Sequence, residues 1–445
     1  MKKHRVSVAL AAGLLAGGLS VSSASAADLG GNCCADLEER VAELEATTVR
    51  KGNRKVSLTI SGWVAEQVTW WDDGVESNVY VSGIGTTLSS HFKMTGSAQI
   101  TPGWSAGYVI HVEANSNEPL GLSQNTDDGG GGVTLLQSYW FLKSETLGKV
   151  SVGQQSHASD NVAILVDGSG SLVPANWVIF DGASFALRSG GVTSSGAGTP
   201  VAGDLIWGEI GFCHHIGAGI AADCNGVPQN AVRYDSPVFG GFSVSASWGE
   251  DDFWDVAARY AGEFNGVKIA VAAAWSHYGE GLGDIFPGGG HDSDYFQIGA
   301  YIQHVPTGLF VYGAYGHEDN NHLTAATVAG GGLAASAGGN AIPDNEHWYL
   351  KAGIRQRWTP LGHTVLFGEY ARHTDMVSQR LINNGIIDSE FERWGAGVVQ
   401  EIDAAAMSMW LVYRHHDGDI AGGLAGTGID LDEFHVVKFG ALINF

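Results

Sequence analysis

The sequence predicts an all-β fold, a transmembrane antiparallel β-barrel of about 16 strands preceded by a short N-terminal helix. Three observations predict it. Segments of about ten residues alternate apolar and polar side chains, as strands do when one face meets lipid and the other water. The connections between those segments alternate short and long. Charged residues make up only 16% of the chain, while 65 Gly, 14 Trp, 13 Tyr and 17 Phe are spread through it. Soluble domains carry about a quarter charged residues.

The chain opens on "MKKHR", continues with the apolar "VSVALAAGLLAGGLSV" and reaches "SSASA", with small residues at Ala24 and Ala26. That order describes a cleaved secretory signal over residues 1–26. The alternative, one membrane-anchoring helix, is disfavoured because the apolar run is short and Gly-rich. Asn32 stands before Cys33 where a lipoprotein signal needs a small residue. No run of 18 apolar residues follows, so no transmembrane helix is expected. Loss of Lys2, Lys3 and Arg5 with the signal takes the formal charge from −24 to −27, which excludes nucleic acid as a partner.

Residues 27–54 are expected to lie in the periplasm. In "CADLEERVAELEATTV", Leu37, Val41 and Leu44 form an apolar seam flanked by Glu38, Glu39, Arg40, Glu43 and Glu45. So short a helix is marginal alone. It reads either as a short coiled coil between tethered copies or as a frayed linker.

From residue 55 to 445 the strands begin. In "HFKMTGSAQITPGWSAGYVIHVEAN", Phe92, Met94, Ala98 and Ile100 share one parity against Lys93, Thr95, Ser97 and Gln99, and the pattern resumes after Pro102-Gly103. Further short turns are predicted at Glu145–Gly148, Pro237–Gly240, Asn265-Gly266, Pro306–Gly308, Pro360–Gly362 and Ile402–Ala404. Longer stretches such as Asp72–Thr86, Ser116–Gly132 and Asp319–Asn345 alternate with them. A membrane barrel makes short turns at its periplasmic end and long loops outside. The longest connection, the third loop at about 156–230, is rich in Gly and Ser and is expected to fold partly inward.

The last strand, "HVVKFGALINF", places Val437, Phe439, Ala441, Ile443 and Phe445 on one parity. A barrel must hide its edges, so this strand is expected to pair with the first, with Phe445 in an aromatic girdle. In "CHHIGAGIAADC", Cys213 and Cys224 suit a loop disulfide in an oxidising compartment; a metal site with His214 and His215 is the alternative, and no metal is expected.

At this point the chain resembles the general porins of alphaproteobacteria. "NCCADLEERVAELEATTVRKGNRKVSLTISGWV" is similar to their N-terminal region, and "SYWFLKSETLGKVSVGQQ" to the hairpin before their third loop, with Gln154 where many carry Arg. "VRYDSPVFGGFSVSASWGEDDFWDVAARY" resembles the run after the loop, and "KFGALINF" their terminus, Phe439, Ile443 and Phe445 matching the signal read by the barrel assembly machinery. The resemblance implies an outer-membrane homotrimer of barrels, each a passive water-filled pore for small hydrophilic solutes and ions. It brings contacts with outer-membrane lipid and lipopolysaccharide, and with peptidoglycan through the N-terminal segment. No cofactor is implied. A dedicated solute channel and a membrane-to-wall tether are the alternatives.

Strand parity turns Arg233, Arg259, Lys351, Arg355 and Arg393 toward the lumen, since a base facing lipid costs about 2–4 kcal/mol near the midplane. Arg414 is ambiguous because Trp410 shares its parity. Asp160, Asp167 and Asp181 on the long loop are expected to oppose that basic wall across the constriction. The acidic excess points to mild cation preference, although net charge does not define a local filter. Acidic loops such as "DDGVESN" and "EDDFWD" suit divalent cations bridging lipopolysaccharide. Enzyme signatures are missing: there is no Walker loop, HExxH or G-x-S-x-G, and "RHHDGD" (His415, His416, Asp417, Asp419) reads as a hydrated rim rather than a catalytic set.

Overall fold

A computed structural model describes residues 55–190, 192–193, 205–211, 213, 224, 226–249, 252–279, 293–320, 343–377, 381, 386–422 and 428–445. The signal peptide and the helix seam of Leu37, Val41 and Leu44 lie outside them.

Sixteen long strands form the wall: β1 (Thr59–Asp72), β2 (His91–Thr101), β3 (Trp104–Asn115), β4 (Gly132–Ser144), β5 (Gly148–Gln155), β6 (Gln229–Asp235), β7 (Phe242–Gly249), β8 (Trp254–Phe264), β9 (Val267–Tyr278), β10 (Ser293–His304), β11 (Leu309–Asn320), β12 (Asn345–Thr359), β13 (Gly362–Thr374), β14 (Ile386–Ile402), β15 (Met407–Gly422) and β16 (Phe434–Asn444). Each pairs antiparallel with its sequence neighbour. The last pairs with the first, from Trp63 opposite Asn444 to Asp72 opposite His435, which closes the barrel. Phe445 and Gly62 exchange two backbone hydrogen bonds of 3.0 Å at the seam. Closure satisfies the backbone groups that an open edge would leave bare in lipid. The seven predicted short turns all fall between paired strands, so one end of the barrel carries turns and the other loops. At the loop end, Ser77–Ser82 and Ile429–Asp430 add short pieces beside β1 and β15.

The two strand faces divide by chemistry. Val64, Val232, Val244, Ile302, Val311, Leu350 and Leu411 point outward and are exposed, forming the apolar band that a bilayer covers. Trp104, Phe242, Phe264, Trp358 and Phe445 ring the turn end; Trp248, Trp254, Trp275 and Trp348 lie toward the loop end. Phe439 and Ile443 also face outward, while Val436, Lys438 and Leu442 of the same strand are buried inside. The expected orientation of the closing strand therefore holds.

The inner face departs from the polar-in expectation. Val365, Phe367, Val399, Trp410, Val412 and Leu442 project inward and are buried with Ile164, Trp177, Val178 and Phe180 of the third loop. A second cluster joins Ile179, Phe185, Leu187, Leu205 and Trp207 of that loop to Trp71, Phe391 and Phe434 of the wall. Each such side chain gains about 1.5–3 kcal/mol on full burial. The loop is thus held as a packed layer on the wall. Cys213 and Cys224 within it form a disulfide, with Cα atoms 5.3 Å apart.

Candidate pore constriction

The third loop connects β5 to β6, and its first part follows the inner wall strand by strand. At β8, the Asp255 carboxylate accepts hydrogen bonds from Ser159 N at 2.6 Å and Ser159 Oγ at 2.7 Å, and pairs with His157 Nδ1 at 2.7 Å. At β10, Gln297 Nε2 donates to Ser159 O and Gln297 Oε1 accepts from Ala163 N, each at 2.9 Å. At β11, Tyr312 Oη donates to Ala163 O at 2.8 Å. At β12, Lys351 Nζ reaches Asp167 at 2.5 Å and Ala175 O at 2.8 Å. Arg393 on β14 donates to Asn176 O and Val178 O, and Arg414 on β15 to Asn176 O at 3.2 Å. Lys438 on β16 and Gln67 on β1 close on Asp181. Residues 157–181 therefore form a strap from β8 round to β1.

Two glycines mark where the strap touches. A Cβ at Gly299 on β10 would lie 2.1 Å from Ala163 O, so only hydrogen lets the two backbones meet. Gly182 has φ +88°, and a Cβ there would lie 2.6 Å from the Phe434 ring.

These contacts redraw the expected constriction. Of the three loop acids and five wall bases, one pair meets directly: Asp167 and Lys351, both fully buried. Asp181 pairs instead with Lys438, with Arg414 at 3.9 Å. Burial alone would raise the Asp181 carboxyl, but the Lys438 ammonium and Arg414 guanidinium hold it below its usual value. Asp160 is buried, accepts from Asn161 Nδ2 at 2.6 Å and has its pKa raised by that burial. Arg233 serves Asp235 at 2.7 Å and the carbonyls of Ser156 and His157. Arg259 donates to Ser245 Oγ and to Ala158 O at 2.6 Å. Arg355 grips Glu401 through both carboxylate oxygens, at 2.8 and 2.9 Å. Asp167 and Asp181 thus meet their bases in contact and out of water rather than across it. Apolar residues of the strap bring it onto an apolar stretch of wall, and the charges between them must pair or lose their hydration unpaid.

Lys438 and Glu369 belong to this belt without having been singled out by sequence, and Arg414, whose aspect parity left ambiguous, joins them. Arg414 Nε donates to Glu369 at 2.7 Å. Parity alone carries Lys438, which alternates with Val437 and Phe439 in the closing strand. Nothing local in the sequence marks Glu369.

What the strap leaves uncovered defines the aqueous route. Along β2–β5 the inner face shows Lys93, Thr95, Ser97, Gln99, Ser105, Lys143 and Lys149, all at least partly exposed. A barrel of this strand number is wide enough to keep such a face wet beside a folded-in loop. A wet lumen with a loop-narrowed bore is the architecture of a diffusion channel.

Comparison with known proteins agrees. No curated protein matches the sequence. Among solved structures, the chain resembles an anion-selective porin from Comamonas acidovorans at 15% identity and a TM-score of 0.55, over 88% of this chain and 100% of that one. Two others are OmpT of Vibrio cholerae, at 10% identity, TM-score 0.49 and 89% and 99% coverage, and Salmonella typhi OmpF in complex with daunomycin, at 12%, 0.49, 89% and 99%. The family model described as Gram-negative porin matches residues 8–419. The chain belongs to the Gram-negative porin family, passive channels of the outer membrane.

Proposed function

We propose that this porin is a general diffusion channel for small hydrophilic solutes and ions whose bore is set by the third-loop strap. The observation that carries the reading is the one-sided packing: the strap follows β8–β16 and β1, while toward the turn end the inner face of β2–β5 stays polar and open to water. Asp167, Asp181, Lys351 and Arg393 act in this reading by holding the strap in place, so they shape the constriction rather than line it. Arg233, Arg259 and Arg355 reach the wet side. The resemblance to alphaproteobacterial porins supports a homotrimer, seated among lipopolysaccharide, inserted by the assembly machinery that reads the terminal Phe445, with the N-terminal segment toward peptidoglycan.

Planar-bilayer recording of purified protein tests this. Stepwise ohmic openings that close in threes are expected, with little dependence on solute identity among small sugars. A folded barrel that gives no steps would refute the channel reading. Saturable current block by one solute class would favour a dedicated channel.

A further inference from the structure

We infer that the turn-end vestibule of this channel favours anions over cations, against the sign of the whole chain. The inference rests on the diffusion-channel reading and adds the class of solute.

The argument begins with register. Lys143 on β4 stands directly opposite Ser105 on β3 and Lys149 on β5, so both lysines share the inner face. Lys149 stands opposite Asp235 on β6. Arg233 on β6 stands opposite Ser151, Arg259 on β8 opposite Ser243, and Lys268 on β9 opposite Glu263. Five bases thus project inward along β4–β9, and none is buried.

Their acids are few. Asp235 is shared between Lys149 at 3.0 Å and Arg233 at 2.7 Å. Glu263 on this water-exposed face and Glu145 in the turn between β4 and β5 are the other two; Asp255 lies buried and is taken by His157 and the strap. Arg259 meets only neutral oxygens, those of Ser245 and Ala158. Among the described residues, neither Lys143 nor Lys268 makes an ion pair. The vestibule therefore keeps a positive surplus. On the opposite arc Arg355 and Glu401 cancel, and the buried belt under the strap adds no negative excess.

Two lysines placed directly across a strand pair repel each other, and Lys143 and Lys149 hold that arrangement where water and mobile anions can reach both. At 0.1 M salt the screening length is about 10 Å, comparable to the spacing between neighbouring strands two or three places apart. The bases therefore act on an ion in the vestibule together, while acids on the loop end and outer face lie beyond that range. Glu346, Glu390, Glu392 and Asp417, which carry part of the −24 charge, alternate with inward residues and so face outward.

The test is the zero-current potential of the reconstituted protein across a tenfold KCl gradient. The wild type is expected to pass chloride in preference to potassium, and the preference should shrink as the mean salt concentration rises. Lys143→Glu with Lys268→Glu should lower the chloride-to-potassium permeability ratio by about threefold. Glu390→Lys with Glu392→Lys, an equal charge change on the outer face, should leave it unmoved. Cation preference in the wild type, or an unchanged ratio in the lysine variant with its conductance steps intact, overturns the inference. Loss of all conductance in the wild type would instead overturn the channel reading on which it rests.

Discussion

Along β12–β16 the inner face carries Val365, Phe367, Val399, Trp410, Val412 and Leu442, all buried under the third loop. Toward the turn end of β2–β5 the same face carries Thr95, Ser97, Gln99, Ser105, Lys143 and Lys149 and meets water. Both arcs are inner walls of one closed sheet, with the same alternation and the same outward apolar band. The difference shows that the lumen side of a barrel is not one environment. Where chain packs against it, the wall is built like a protein core, with apolar side chains around a few fully paired charges. Where solute must pass, it is built like a surface.

The largest effect should come from unpairing a buried charge on the packed arc. Asp181→Leu leaves Lys438 without its partner at a site closed to water, a change that costs about 3–5 kcal/mol. Because the sheet is closed independently of the strap, the loss should appear as loop opening. Hydrogen exchange of peptides from residues 157–185 should accelerate at least a hundredfold while the strands stay protected. Trp177→Ala removes a fully buried ring from the strap, with an expected cost of about 3–5 kcal/mol, and should raise both exchange in the same peptides and mean single-channel conductance. Conductance unchanged by either substitution would mean that the strap does not bound the conducting path.

A smaller effect is expected at Gly299. Valine there would put a methyl-bearing carbon into the Ala163 carbonyl, and lifting the strap at that point costs about 1–3 kcal/mol. Loop exchange should rise locally around residue 163 and less beyond residue 176. The smallest effect should be on the open arc. Ser105→Ala should change thermal stability by no more than about 0.5 kcal/mol, and a larger loss would show that this arc is packed too.

Much of the sheet was legible because a membrane barrel imposes simple rules on it. Six of the seven turns carry Pro, Gly or Asn where the chain reverses, the seventh carries Asp403, and the parity of Phe439, Ile443 and Phe445 places lipid on their side. The inward aspect of Lys351 and Arg393 followed from the same parity. The path of the strap did not. Its apolar residues, Ile164, Trp177, Val178, Ile179 and Phe180, keep no helical or strand period and lie among Gly and Ser. Their partners on the wall are about a hundred positions away or more, so nothing local announces the contact. One sign was present in the parity conflict between Trp410 and Arg414. A tryptophan facing the same way as an inward arginine contradicts a wall lined only by water, and the structure resolves it: both lie under the strap, Arg414 bonded to Glu369 and Asn176 O.

The contrast between the two arcs is tested most directly by thiol accessibility during bilayer recording. Single cysteines would be placed at Ser97 on the open arc and at Val399 on the packed arc, in protein with Cys33 and Cys34 replaced by Ser. A charged, water-soluble thiosulfonate should react with S97C within seconds and step the current down, while V399C stays unmodified and its current steady. Modification of V399C at the same rate as S97C would show water behind the strap and contradict the account.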